Sequence, residues 1–222
     1  MSVRLDGPAD GRTNMARDAS LLSECGDGWS VRVYGWDGPW VTLGRFQRSE
    51  DALLPGAPVQ WVSRPTGGKA VLHGHDITVG IAAGFRSLGL DDGTRQLRAV
   101  YRAVVRPLVE ALTAAGLPAA LAEDCKAERG TVRVADCFAV TSPNDVVSPV
   151  TGLKVCGCAL RLYGSAVLLQ ASVPVGPPLV PPSQVFAVPA PASNVLLDQE
   201  ALAERLVERL RWVSETGCAP NL

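Results

Sequence analysis

The sequence predicts an α+β fold, a two-layer α/β arrangement whose central mixed, largely antiparallel sheet is flanked by helices. Three observations carry this expectation. Short alternating or β-branched runs recur from Ser30 to Gln170, as strands with one wet face do. Helical periodicity is confined to a few stretches, chiefly one that begins at Thr94 and one after Asp198. The strands do not alternate with helices in the steady βαβα rhythm that a fully parallel sheet requires. The 222 residues, 47% hydrophobic and 19% charged, are enough for one domain, read here as 1–222, because a chain of this size hides roughly 70% of its unfolded surface.

In chain order, Thr13 is the expected cap of a first helix through Met15, Ala16, Leu21 and Leu22 that stops near Gly26. Ser30–Tyr34 reads as a strand, Gly35-Trp-Asp-Gly-Pro39 as turn chemistry, and Trp40–Leu43 as its hairpin partner. Segments 58–62 and 70–73 read as short strands around Gly67-Gly68, with another at 77–81. Leu97, Tyr101, Val104, Val105, Leu108 and Leu112 then repeat at helical steps up to Gly116-Leu-Pro118. Pro107 inside that stretch predicts a kink or two shorter helices. Further strands are expected at 132–134, 145–147, 153–155 and 166–170. Seven prolines (Pro174, Pro177, Pro178, Pro181, Pro182, Pro189, Pro191) make 173–192 a stiff extended connector. A last helix at about 198–214 carries Leu202, Leu206, Leu210 and Val213 on one stripe, with Glu204, Arg205, Glu208 and Arg209 on its other faces.

Composition excludes several classes. Lys+Arg of 21 against Asp+Glu of 22 gives a net charge of −1, so no global field draws nucleic acid or an anionic membrane. No run is long and apolar enough for a membrane span, and the N-terminus has no apolar signal core. The expected location is therefore cytoplasmic, where the six cysteines stay reduced. Zinc or another metal is not expected: His73 and His75 are the only histidines, no CxxC occurs, and Cys156-Gly-Cys158 has no second pair beside it.

Three segments can carry chemistry. In Arg64-Pro-Thr-Gly-Gly-Lys-Ala-Val-Leu-His73 two glycines let backbone N–H groups approach a ligand, bracketed by Arg64 and Lys69. That suits a phosphate, carboxylate or thioester carbonyl, although a plain hairpin turn has the same composition. It is not a Walker A loop. Cys137, after a strand, is either a nucleophile or a small buried hydrophobe. Lys154, in an apolar run before Gly157, is either a partly desolvated group that holds a carbonyl oxygen or an exposed edge-strand lysine.

Order and spacing join these segments. Asn14-Met-Ala-Arg-Asp18 with Leu21-Leu22, Pro39 through Gly44 to Gln47, Arg64–His73, Asn144-Asp145 with Lys154-Val-Cys-Gly157, and Ala166–Gln170 together resemble the biotin/lipoate protein ligase family. That family includes lipoate–protein ligases and cysteine-dependent octanoyltransferases. The resemblance covers residues 14 to 175 and implies a catalytic domain of the fold that biotin ligases share with class II tRNA synthetases. It also implies attachment of an octanoyl or lipoyl group to the lysine of a lipoyl domain, as in glycine cleavage H protein or dehydrogenase E2 subunits. Ala135-Asp-Cys137-Phe138 resembles the nucleophile segment of the transferases, seventeen residues before the lysine. In that subgroup acyl carrier protein is the donor, the route is a thioester, and no cofactor is needed; the ligase subgroup instead uses ATP and Mg. The catalytic residues implied are Cys137 and Lys154. Substrate-binding residues implied are Arg64, Thr66, Gly67, Gly68, Lys69, Ala70, His73, Asn144 and Gly157, with His73 a candidate base. Here Cys156 and Cys158 flank Gly157, and Ala171 stands where the family often has histidine, departures that leave open, beside transferase and ATP-dependent ligase, a non-catalytic relative that binds a lipoyl domain or acyl carrier protein.

Overall fold

The computed structural model describes residues 2–91, 93, 96–125, 134–190 and 196–216. Its elements are β1 (Ser2–Leu5), α1 (Gly11–Cys25), β2 (Trp29–Tyr34), β3 (Trp40–Leu43), α2 (Ser49–Ala52), β4 (Gln60–Ser63), β5 (Val71–Leu72) and β6 (Asp76–Gly84). They continue with α3 (Leu97–Ala114), β7 (Ala120–Leu121), β8 (Val146–Val147), β9 (Lys154–Tyr163), β10 (Ala166–Pro174) and α4 (Gln199–Thr216). A seven-stranded sheet runs β1-β2-β6-β10-β9-β8-β7, and a three-stranded sheet runs β4-β3-β5. Among the strands of the described residues, β1–β2 and β3–β4 pair in parallel and the other pairs are antiparallel. The expected mixed, largely antiparallel sheet with helices against it is what forms.

Period-two alternation gives the large sheet two unlike faces. Val31 and Val33, Ile77, Val79 and Ile81, and Val167, Leu169 and Val173 are buried in the main core with Val104, Leu108 and Leu112 of α3 and Leu206 and Leu210 of α4. Apart from Leu168, the intervening positions of β2, β6 and β10 are polar or small. Tyr34, Thr78, Ser172 and Gly157 form one cross-strand row, and Arg32, Gly80, Gln170 and Ala159 the next. Helix α1 covers that second face, packing Leu21 and Cys25 on Ala82 and Leu168.

Several expectations are corrected. Trp40–Leu43 is not the hairpin partner of β2; it is the centre of the small sheet, because Val41 and Leu43 face a separate cluster with Leu72, Val185 and Phe186. Likewise β4 and β5 do not pair with each other but flank β3. Asp10, not Thr13, caps α1: its carboxylate accepts from the backbone N–H groups of Arg12 and Thr13 at 2.9 and 3.0 Å, and the Thr13 hydroxyl donates to it. Helix α3 runs unbroken through Pro107. β9 is much longer than 153–155, since Gly157 continues the strand rather than ending it. β10 takes Val173 and Pro174 from the expected connector. The N-terminal strand β1 was not expected from its four residues. Asp198 starts α4, its Oδ1 accepting from the Ala201 N–H at 3.0 Å. Most of the strand expected at 132–134, the start of the helical stretch at Thr94, the connector's end at 191–192 and the Val213 side chain lie outside the described residues. No helix among the described residues is long and apolar enough to cross a membrane.

Candidate active site

Cys137 sits in a loop held on both sides. Its N–H donates to the Ala70 carbonyl at 2.8 Å, and the Ala70 N–H donates to Ala135 at 2.8 Å, so the loop is laced to the end of the glycine segment. Asp136 fixes the other side: its carboxylate accepts from the backbone N–H groups of Phe138 at 3.0 Å and Ala190 at 2.7 Å. Burial pushes the Asp136 carboxyl up, partly opposed by those two N–H groups.

Lys154, at the start of β9, reaches across to this loop. Its ammonium lies 3.2 Å from Cys137 Sγ, donates to the Cys137 carbonyl at 2.8 Å, and pairs with Asp145 Oδ1 at 2.9 Å. Burial alone would lower the lysine's pKa, but the neighbouring Cys137 and Asp145 outweigh it and the net shift is upward. The ammonium is thus kept protonated and aimed at the sulfur. The Phe138 ring lies below it, 5.2 Å away. A Cβ at Gly157 would come within 3.3 Å of Cys137 Sγ and 3.4 Å of the Phe138 ring, which gives glycine a packing reason at this β9 position.

The glycine segment is clamped by Arg64. This side chain is buried and donates to the carbonyls of Thr42 at 3.0 Å, Gly67 at 2.5 Å and Lys69 at 2.7 Å. Burial lowers its pKa to about 10. Arg64 therefore shapes the loop with its guanidinium rather than leaving it open to a ligand. In a trans peptide the N–H points opposite the carbonyl, so with the Gly67 carbonyl on Arg64 the Gly68 N–H faces away from it. Gly68 adopts φ +85°, where a side chain would be strained, and it lines the adjacent cleft. Thr66 anchors the loop from behind, its hydroxyl donating to Gln170 Oε1 at 2.7 Å.

A narrow cleft with about 40 Å³ of water-accessible space joins these parts, lined by Arg64, Gly68, Lys69, His73, Cys137 and Gly157 together with Met15, Trp36 and others. His73 is stacked on Trp36 with centroids 4.0 Å apart. Both of its ring nitrogens are engaged, Nε2 with Thr42 Oγ1 and Nδ1 with Asp76 Oδ2, each at 2.8 Å, so it is not free to act as a base as it stands. Burial raises the Asp76 carboxyl, but His73 and the Ser172 hydroxyl bring it below its ordinary value. Thr66, Gly67 and Ala70 build the loop behind the cleft. Asn144 is not brought in: it is exposed, and its carbonyl accepts from the Tyr101 hydroxyl.

Its neighbour Asp145 takes the inward place, and sequence reasoning undervalued it. The dipeptide was the only signal, since alternation could not say which of the two turns inward. Thr42 and Asp76, the partners of His73, were missed as well. Cys156 and Cys158 approach each other at 3.6 Å between sulfurs, and Cys156 belongs to the α3-facing core. Among the described residues, no group of three or more His, Cys, Asp or Glu could hold a metal ion. Chemically, a thiol beside a fixed ammonium, at a cleft that the glycine loop also lines, is equipped for acyl transfer through sulfur.

The octanoyltransferase LipM of Anoxybacillus flavithermus is 30% identical over 171 residues, 72% of this chain and 60% of that relative. The chain thus spans about 60% of the length of the curated relatives it matches first. A solved structure of lipoate-protein ligase A bound with ATP superposes with a TM-score of 0.69 at 22% identity, covering 97% of this chain and 85% of that one. A bipartite lipoate protein ligase studied with its E2 lipoyl domain, from Thermoplasma acidophilum, gives 0.67 at 20% identity, covering 97% and 84%. The strand order that brings Lys154 to Cys137 is thus part of a shared fold, and residues 10–203 match the family described as "Lipoyl protein ligase A/B catalytic domain": the chain belongs to that family.

Proposed function

We propose that this protein is an acyltransferase that moves an octanoyl or lipoyl group, through a thioester on Cys137, to the lysine of a lipoyl domain. The observation that carries the reading is the Lys154 ammonium 3.2 Å from Cys137 Sγ. In the first half-reaction the Cys137 sulfur attacks the carbonyl of a donor thioester, with acyl carrier protein as the donor. A carbon–sulfur bond to Cys137 forms, the donor's carbon–sulfur bond breaks, and the thiol proton leaves with the donor sulfur. Exchange between two thioesters is nearly balanced in free energy and needs no nucleotide. In the second, the acceptor lysine of an E2 or glycine cleavage H lipoyl domain attacks the acyl-cysteine. The carbon–nitrogen bond forms, and Cys137 departs and takes up the proton that the amine sheds.

The Gly68 N–H and Lys154 would stabilise the oxyanion in both steps. A lysine held protonated suits that role better than the role of a base. The likeness to octanoyltransferase LipM over 72% of the chain supports a transferase. The test is intact mass of the purified protein after incubation with octanoyl-acyl carrier protein, run with and without ATP and Mg, beside Cys137→Ser. An octanoyl-sized adduct that forms without nucleotide, is removed by hydroxylamine and is absent in Cys137→Ser is the expected result. Modification that requires free acid and ATP would replace this reading with a ligase.

A further inference from the structure

The helix α1 segment Asn14–Asp18 has no part in the chemistry above, yet its carboxylate is fully buried over the same sheet face. Asp18 Oδ1 accepts from Arg32 at 2.8 Å; Oδ2 accepts from the Tyr34 hydroxyl at 2.7 Å and from Gln170 Nε2 at 2.5 Å. The space it occupies exists because Gly80 lies between Arg32 and Gln170 in the cross-strand row: a Cβ there would stand 2.6 Å from Asp18 Oδ1. Arg32 is also held by Asp6 at 2.8 Å, so it has a second carboxylate partner.

A buried carboxylate is an expensive way to fill space, and apolar replacements of buried ion pairs are often neutral or stabilising. What an apolar residue could not do here is orient the Gln170 amide. With three donors aimed at it, Asp18 accepts only, so Gln170 must present Nε2 to Asp18 and Oε1 to the other side. There the Thr66 hydroxyl donates to Oε1 at 2.7 Å. The Thr66 carbonyl accepts from the Arg45 N–H at 2.9 Å, so this residue is fixed by both side chain and backbone, two residues before Gly68.

We infer that Asp18 is a positioning residue that acts through Gln170 and Thr66 to hold the glycine loop with its Gly68 N–H turned toward the cleft. The inference rests on the proposed acyl transfer only in needing an oxyanion beside Cys137. The assay is therefore the burst of nitrophenolate from p-nitrophenyl octanoate, an activated ester that requires no carrier protein. Gln170→Met and Thr66→Val should each slow acylation of Cys137 about tenfold, less than the roughly hundredfold loss of a whole oxyanion donor, with little change in the half-saturating ester concentration. The double variant should be no slower than the slower single, because both cut one chain of contacts. Thr66→Ser should recover the burst. Asp18→Leu should resemble Gln170→Met, and a melting curve with a single transition would show that it is folded. Alkylation of Cys137 by iodoacetamide, which forms no oxyanion, should proceed at the wild-type rate in all of them. Additive slowing in the double variant, unchanged bursts in the singles, or a parallel loss of alkylation would overturn the inference. A wild-type burst at Cys137 without any transfer from acyl carrier protein would instead remove the donor assignment and leave the positioning role standing.

Discussion

Gly44 is the position at which one added methyl group should do most harm. A Cβ there would lie 2.0 Å from the Gly68 carbonyl oxygen, 2.9 Å from its carbon and 3.1 Å from the Gly67 carbonyl carbon. Ordinary contact begins at 3.4 Å, so in Gly44→Ala the Gly67–Gly68 backbone must retreat by about 1.4 Å. It has nowhere easy to go. Arg64 grips the Gly67 and Lys69 carbonyls, and Gln170 holds Thr66. Forcing atoms into a packed site costs roughly 1–3 kcal/mol, which for a chain of this size is a fall in Tm of roughly 2–12 °C. The catalytic effect should be larger, since a misplacement of about 1 Å can cost on the order of a hundredfold in rate. Differential scanning fluorimetry and the nitrophenyl ester burst measure the two effects separately. Gly176→Ala, where nothing stands within 4 Å, serves as the control and should change stability by less than about 0.5 kcal/mol. A Gly44→Ala protein that acylates Cys137 at the wild-type rate would show that the loop does not set the reaction geometry.

Other substitutions probe different parts of the fold. Asp145→Asn removes one of the two neighbours that raise the Lys154 pKa, so the high-pH limb of the acylation rate should move to lower pH. Breaking this buried pair should also cost on the order of 3 kcal/mol by denaturant unfolding. Glu24 is held down to about 2 by its hydrogen bond with Arg4. A lowered carboxylate stabilises above its unfolded value and loses that contribution as pH falls toward the folded one. Glu24→Gln should therefore cost at most about 1 kcal/mol at neutral pH, because the pair is solvent-screened. The difference in Tm from wild type should close between pH 4.5 and about 2. Leu206→Ala, at a fully buried α4 position, should destabilise by roughly 2–5 kcal/mol.

The legible parts of this fold were those written in periodicity. The apolar stripe from Tyr101 to Leu112 marked α3, although Leu97 at its start is exposed, and Leu202, Leu206 and Leu210 marked α4, because a helix against a sheet must repeat its buried residues at that step. Strand partners were harder. Gly35–Pro39 has hairpin composition, yet Trp36 bridges back to Ala9 and β3 leaves for the second sheet; turn residues fix a bend, not the neighbour that follows it. In the site, Cys137, Lys154 and Gly157 could be named only through the resemblance of their segments to the biotin/lipoate protein ligase family. The inward choice of Asp145 over Asn144 could not, nor could the turning of Arg64 onto its own loop. Both depend on which side of a backbone faces the interior, and a lone dipeptide or loop carries no period from which to read that.

The two faces of the large sheet also tie stability to chemistry through register. Val31 and Val33 of β2, Ile77, Val79 and Ile81 of β6, and Val167, Leu169 and Val173 of β10 lie in the core with α3 and α4, while Arg32, Asp76, Thr78, Gln170 and Ser172 occupy alternate places. A slip of one residue in any of these strands would send its whole apolar set to the α1 side and its polar set against Leu108 and Leu206. Burying even one of those polar groups without a partner costs roughly 1–3 kcal/mol, and moving the valines into the polar layer would forfeit their burial as well. The hydrophobic core therefore selects the register in which Gly157 meets Cys137, Gly80 leaves room for Asp18, and Gln170 reaches Thr66. Substitutions that loosen the α3 face, such as Leu169→Ala, should for that reason lower the acylation rate of the folded protein as well as its stability, although no atom of Leu169 lines the cleft.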